Sequence, residues 1–251
     1  LFDGNYAGFY TCNLVGTSGA RITVRALSGA IGVGASRATI DGASSNTNNI
    51  AFNVLLACKF VDFRDLEIRN SNATRVGAGL ARPQLVRDYG EDNRFINCVC
   101  RDGQVSPQDG KRTELYGTLM CYGGCYNTTT SSPSGHNLYL QNATAQGQKK
   151  VLDCLLFSSF NRPVQYWSNT DNVQNVLMEG TAAWLGGVLN ALYGNGNYLD
   201  NIVTGTGGTM AGLVFRRNYT YHPRIAVGSY ARGLSLAQSG AVSGAIVEDS
   251  Y

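Results

Sequence analysis

The sequence is poor in proline, in charge and in long apolar runs. Only 5 prolines stand against 31 glycines, a balance that suits many tight turns rather than disorder or a collagen repeat. Charged residues make up 15% of the chain, so Asn, Ser and Thr supply most of the polar surface. The net charge of +3 is small and scattered. With no Lys/Arg-rich run, a nucleic-acid footprint is not expected. No stretch reaches the ~18 apolar residues that a membrane-crossing helix needs, so no membrane insertion is expected. A capped, long amphipathic helix is also missing, which argues against α/β architectures.

Several chemical signatures are missing too. Gly205–Gly208 lacks the Lys-Ser/Thr and the following helix of a phosphate loop. No nucleophile elbow occurs. The chain has two histidines, His136 and His222, and five scattered glutamates, so paired carboxylates for glycoside hydrolysis are weakly signalled. Neither Cys98-x-Cys100 nor Cys121-x₃-Cys125 has zinc spacing. Most of the seven cysteines lie in apolar runs, where a buried thiol acts as a small hydrophobe. A disulfide is the other reading, with Cys121–Cys125 the nearest pair. No signal peptide is visible. The chain opens at Leu1 within a strand-like pattern, as expected of a processed or excised part of a longer chain.

What is present is a recurring extended unit. Leu138 and Leu140 alternate with Asn137, Tyr139 and Gln141, the period-2 mark of a half-buried strand. A polar turn follows, then the apolar run Val151 to Phe157. Similar units carry Asp, Asn or Gly between apolar residues, at Asp65, Asn97, Gly117, Asp153, Asn175, Asn201 and Asn218. Most of these recur at the roughly 20–50-residue periods of stacked coils. Asn suits equivalent turns because it tolerates the left-handed conformation. The pattern predicts an all-β, single-domain solenoid over residues 1–251, with Ile68, Val99, Leu155, Leu177 and Val203 in one interior column. Ser71–Glu91 reads as a loop excursion. Neither end carries an evident polar cap, although solenoids normally need one.

The segments "FVDFRDLEIRNSNATR", "TELYGTLMCYGG", "GHNLYLQN" and "VLDCLLFSSF" resemble right-handed parallel β-helix proteins of the pectate-lyase-like superfamily, in particular secreted bacterial β-helix repeat proteins. The resemblance covers roughly Leu1 to His222. It implies an extracellular or cell-surface, carbohydrate-active β-helix that binds a polysaccharide, with lyase-like or hydrolase-like cleavage left open. The same superfamily also includes esterases, phage tailspikes and non-catalytic surface proteins. The alternative is therefore a structural module that stacks through its terminal coils, with other copies of itself or flanking domains as partners.

The resemblance places His136 at the start of a strand, with Tyr139 and Gln141 on its face; the other reading is a turn histidine bonding a neighbouring coil. A lyase of acidic polysaccharides needs a base and a group that neutralises the substrate carboxylate, often Ca²⁺ or Arg. The catalytic candidates are His136, Lys150, Arg162, Asp153 and Glu114. The substrate-binding candidates are Tyr139, Gln141, Arg101, Tyr166 and Trp167. Lys149 flanks the same central unit. Trp184, Tyr193 and Tyr198 are further aromatics able to stack on sugar rings or in the core. No Asp-rich cluster announces a calcium site, so no cofactor is assigned. Four glycosylation sequons begin at Asn72, Asn127, Asn142 and Asn218.

Overall fold

A computed structural model describes residues 1–27, 37–43, 50–71, 74–143, 146–168, 173–187, 200–206, 208–221, 233–236 and 241–251. Three long sheets run side by side along one axis. Each coil of the chain adds one short strand to each sheet in turn. Sheet one joins Gly4–Ala7, Ala38–Asp41, Glu67–Arg69, Val99–Arg101, Leu119–Cys121, Leu155–Phe157, Ala182–Trp184 and Tyr219–Tyr221. Sheet two runs from Ile22–Arg25 through Val61–Arg64, Arg94–Ile96, Glu114–Tyr116, Lys149–Leu152 and Val173–Glu179 to Thr209–Arg216, which pairs both Ala241–Ser243 and Ile246–Glu248. Sheet three joins Tyr10–Cys12, Ile50–Val54, Gln84–Asp88, Gln104–Ser106, Leu138–Leu140, Val164–Ser168, Ile202–Thr206 and Leu234–Ser235. Every strand pair in these sheets is parallel. This is a parallel β-helix, right-handed as parallel crossovers are.

The repeated Asp, Asn or Gly is the corner between sheets two and one. Asp65, Asn97, Gly117 and Asp153 all adopt left-handed φ values, between 52° and 57°. Their amides continue the ladder: Asn97 donates to the Tyr116 carbonyl, Gly117 to Leu152 and Asp153 to Glu179. Short polar side chains and glycine tolerate this conformation best, which is why they recur there. In the next coil the corner is Gly180 (φ 61°) rather than Asn175; Asn175 lies within the Val173–Glu179 strand. Asn201 marks a different corner, the entry to sheet three.

The core forms three columns. On sheet two, Val24, Phe63, Phe95, Leu115, Val151, Met178, Phe215 and Val247 stack in register. Phe63 lies 5.0 Å from both Phe52 (edge-on) and Phe95 (stacked). The expected column holds at Ile68 but fails at Val99, Leu155, Leu177 and Val203; Val203 is buried, yet it pairs with outward-facing Gln165, while Ile202 pairs with inward-facing Val164. Their neighbours Cys100, Leu156, Val176 and Met178 face inward instead. With a side-chain period of two, a slip of one residue exchanges inside for outside. The corner residue breaks the apolar run Val151–Phe157 into two strands, and the alternation restarts after it.

Two more expectations change. Gln84–Asp88 is a sheet-three strand rather than part of a loop. Leu138–Leu140 is buried on both sides, not half-buried, because further chain covers its outer face. Arg82 lies over the Tyr139 ring there. A small separate sheet is formed by Val76–Gly77, Cys125–Asn127 and Ser132–Ser134, in which the last two pair antiparallel. The seven cysteines are all buried and free, Cys121 and Cys125 included. Cavities of about 310 and 220 Å³ open at the first and last coils.

Asn137 holds the entry to sheet three. Its Oδ1 accepts from the Gly123 amide at 2.6 Å, and its Nδ2 donates to the Phe157 carbonyl at 2.8 Å. Gly123 approaches so closely that a methyl group would overlap Asn137 Oδ1. Asn201 repeats the device, accepting from Gly186 and donating to Tyr221. Asn137→Ala is expected to lower stability by about 2 kcal/mol, because it leaves the buried Gly123 amide unpaired and takes one of two donors from the Phe157 carbonyl. Urea unfolding measures the loss; a change below about 0.5 kcal/mol rejects this account of the corner.

Candidate functional site

The residues three positions before the corner form a charged row on the outer face of sheet two. Asp62, Arg94, Glu114 and Lys150 are register partners in successive coils. Alternation places them outward because Phe63, Phe95, Leu115 and Val151 beside them face the core. Glu114 Oε2 accepts from Arg94 Nε at 2.8 Å, and its Oε1 accepts from Lys150 Nζ at 2.8 Å. The Tyr116 hydroxyl donates to Oε2 at 2.9 Å. At the N-terminal end, Arg21 binds Asp62 at 2.7 Å. Beyond Lys150 the row turns apolar, at Leu177, Val214 and Ile246.

A second row lies beside it at the corner between sheets three and two. Lys59, Glu91 and Lys111 bridge in register. Arg112 spans Glu91 and Asp92 at 2.5 and 2.7 Å. Across the two rows Arg21, Lys59, Arg94, Lys111, Arg112 and Lys150 outnumber Asp62, Glu91, Asp92 and Glu114. Burial pushes the Glu114 carboxyl up, but hydrogen bonds from Lys150 and Tyr116 and the nearby cations outweigh it, so its pKa falls below the usual carboxylate range. The Tyr116 phenol is raised to about 12, by burial and then by its bond to Glu114.

The ten expected site residues do not converge. Glu114 and Lys150 meet on sheet two. Asp153 is an exposed corner residue whose carboxylate lies against Gly180. Arg101 sits on sheet one, bound to Glu67 and Asp102 at 2.7 and 2.8 Å. His136, Tyr139, Gln141 and Arg162 gather on sheet three, beneath the covering segments. The His136 ring stacks on Tyr139 at 5.8 Å, and Arg82 lies over the Tyr139 ring at 5.6 Å. Gln141 Nε2 donates to the Tyr139 hydroxyl at 3.1 Å. His136 Nδ1 donates to the Arg162 carbonyl at 3.3 Å, and the Arg162 guanidinium lies 3.6 Å from Asp200. Burial, reinforced by Arg162 and Arg82, depresses the His136 pKa to about 3. A neutral, enclosed imidazole of this kind joins neighbouring coils.

Tyr166 points into the core, because Val164 and Tyr166 share the inward alternation; its hydroxyl meets Met178 Sδ at 3.3 Å. Trp167 lies over Gly205 at the edge of sheet three. Tyr193, Tyr198 and His222 fall outside the described residues. Lys149 faces inward, donating to the carbonyls of Pro107, Gln108 and Gln141 at 2.6–2.9 Å. Burial lowers its pKa to about 7, against the upward pull of Asp88 and Asp109. Among the described residues no three His, Cys, Asp or Glu side chains are grouped so as to hold a metal ion.

Sequence reading missed Arg21, Asp62, Arg94 and Tyr116. For three of them the signal was available: Asp62 and Arg94 lie three positions before a corner residue and Tyr116 one before, whereas Arg21 lies outside that register. Among the described residues no helix is long and apolar enough to cross a membrane. No protein-family model and no curated protein sequence matches the chain. The crystal structure of pectate lyase Pel9A superposes with a TM-score of 0.56, over 99% of this chain and 68% of that one, at 14% sequence identity. At that identity the likeness establishes the fold alone: a right-handed parallel β-helix.

Proposed function

We propose that this chain is an extracellular, carbohydrate-active β-helix that binds an acidic polysaccharide along the outer face of sheet two. The observation that carries the reading is the axial row Asp62–Arg94–Glu114–Lys150, flanked by cations in excess. Neighbouring coils are about 4.8 Å apart, so a chain lying along the axis meets a charged side chain at every step. The cations are already paired with the buried Glu114 carboxylate, but the side chains of Arg94 and Lys150 remain 38% and 31% exposed. A uronate carboxylate would meet their outward faces without displacing Glu114. For cleavage by elimination, a base removes the proton next to the sugar carboxylate and the glycosidic oxygen leaves. Lys150 and Arg94 would hold the carboxylate, with Glu114 and Tyr116 beside them.

Pectate, named here because of the fold likeness to Pel9A, is the test polymer. The chain is expected to retain pectate and not a neutral polysaccharide of similar length, with affinity falling as salt rises. Arg94→Ala and Lys150→Ala should each weaken binding about fivefold (~1 kcal/mol). Equal affinity for both polymers, or binding indifferent to salt and to both substitutions, overturns the reading. Appearance of an unsaturated, ultraviolet-absorbing product adds cleavage to binding.

A non-catalytic assembly module is the second reading. One observation favours it: past Arg101 the outer face of sheet one is apolar, with Leu155, Tyr219 and Tyr221 exposed at 45, 56 and 54%. Phe157 and Trp184 stack between them at 4.8 Å. Contiguous exposed apolar surface marks interaction sites. Analytical sedimentation separates the readings: concentration-dependent oligomers lost on Leu155→Lys support assembly through this face.

A further inference from the structure

Cys12 ends the first strand of sheet three, and Cys58 lies just past the strand hydrogen-bonded to it. The Leu55 amide donates to the Cys12 carbonyl at 2.9 Å, and the Cys58 amide donates back to the Leu55 carbonyl at 2.9 Å. This tight turn carries the Cys58 thiol beneath Cys12. The two sulfurs are 3.5 Å apart, in direct contact, although 46 positions separate them in the chain. Among the described residues no other two cysteine sulfurs touch. Cys98 and Cys154, for example, spend their thiols on backbone carbonyls.

We propose that Cys12 and Cys58 are a redox-active pair that forms a reversible disulfide, with low-molecular-weight disulfides as the oxidant. Cys12 is the attacking thiol and Cys58 the resolving one. Cys12 lines the cavity of about 310 Å³ at the first coil, whereas Cys58 is wholly enclosed. The hydrogen bond from Cys58 lowers the Cys12 pKa and holds the Cys58 proton in place. The Cys12 thiolate attacks one sulfur of the small disulfide, forming a mixed disulfide and expelling one small thiolate. Cys58 then loses its proton to that thiolate and attacks the Cys12 sulfur, expelling the second. The sum is protein dithiol plus small disulfide giving protein disulfide plus two small thiols. Two protein sulfurs are oxidised and two small-molecule sulfurs reduced.

The consequence is mechanical. The bond ties the coil that carries Cys12 to the next one, whose strand pairs with it. Closing so long a loop removes much freedom from the unfolded chain.

The test treats the native, reduced chain with oxidised glutathione, blocks remaining thiols by alkylation and maps linked peptides by mass spectrometry. The expected result is one intramolecular link, Cys12 to Cys58, a fall of two in the titratable thiols and a midpoint of melting raised by roughly 5–10 °C. Dithiothreitol should reverse all three. Cys12→Ser and Cys58→Ser should each abolish the gain, and both reduced variants should melt within about a degree or two of the reduced parent. A link between any other two cysteines overturns the proposal. So does glutathione retained on Cys12 without capture by Cys58, or the absence of any oxidation.

Discussion

Phe95→Ala is expected to lower the unfolding free energy by about 3–5 kcal/mol. Phe95 sits in the middle of the sheet-two column, stacked on Phe63 at 5.0 Å and followed in register by Leu115. The site cannot collapse easily. Its backbone is fixed on both sides by parallel ladders to Val61–Arg64 and Glu114–Tyr116, so most of the removed ring remains as a cavity. A solenoid is stabilised mainly by contacts between neighbouring coils, so a gap in a central coil weakens both of its interfaces. Guanidinium unfolding checks the magnitude. Phe95→Leu, which fills part of the volume, should lose less than half as much. Equal losses for the two variants would remove the packing argument.

Acidification is the second large effect, and it runs through His136. The imidazole is enclosed and neutral, with its pKa depressed from 6.5 to about 3 by burial and by the charges of Arg162 and Arg82. Between those values the unfolded chain takes up a proton that the folded chain refuses. Unfolding therefore becomes easier as pH falls through that window, by up to about 1.4 kcal/mol per pH unit and about 5 kcal/mol in all. Asp88 works in the opposite sense. Burial pushes its carboxyl up, so the folded chain binds that proton more readily and gains stability on acidification. Comparison with His136→Gln isolates the histidine. The difference between the two stability curves should be flat above about pH 7 and grow steadily from pH 6 to 4. A difference independent of pH would mean that the imidazole is not held neutral.

The repeat could be read because its physical cause is local. Asp65, Asn97, Gly117 and Asp153 stand out in the sequence because a left-handed corner admits few residue types. Asn175 misled for the same reason: it also has a left-handed φ, of 52°, but inside a strand, while the corner is served by Gly180. The interior column held at Ile68 alone. Val99, Leu155, Leu177 and Val203 were reversed, because each has an apolar neighbour and period alone does not decide which face is inside. Of the expected site, Glu114 and Lys150 do meet. His136 and Arg162 also lie together, but on another sheet and under cover. Their residue types suggested chemistry; the structure buries both.

The one-dimensional pattern was enough to establish that short strands coil and stack, since each coil must shield its apolar side against the next and the corner chemistry repeats visibly. It could not determine which charges become neighbours. Coils differ in length, so Glu114 meets Lys150 across 36 positions and Arg94 across 20. Only the register of the parallel ladders brings them into one row. The same ladders set Cys12 against Cys58 and bring the covering segments down over His136. Those are long-range pairings, fixed by backbone hydrogen bonds between coils rather than by anything local to the residues concerned.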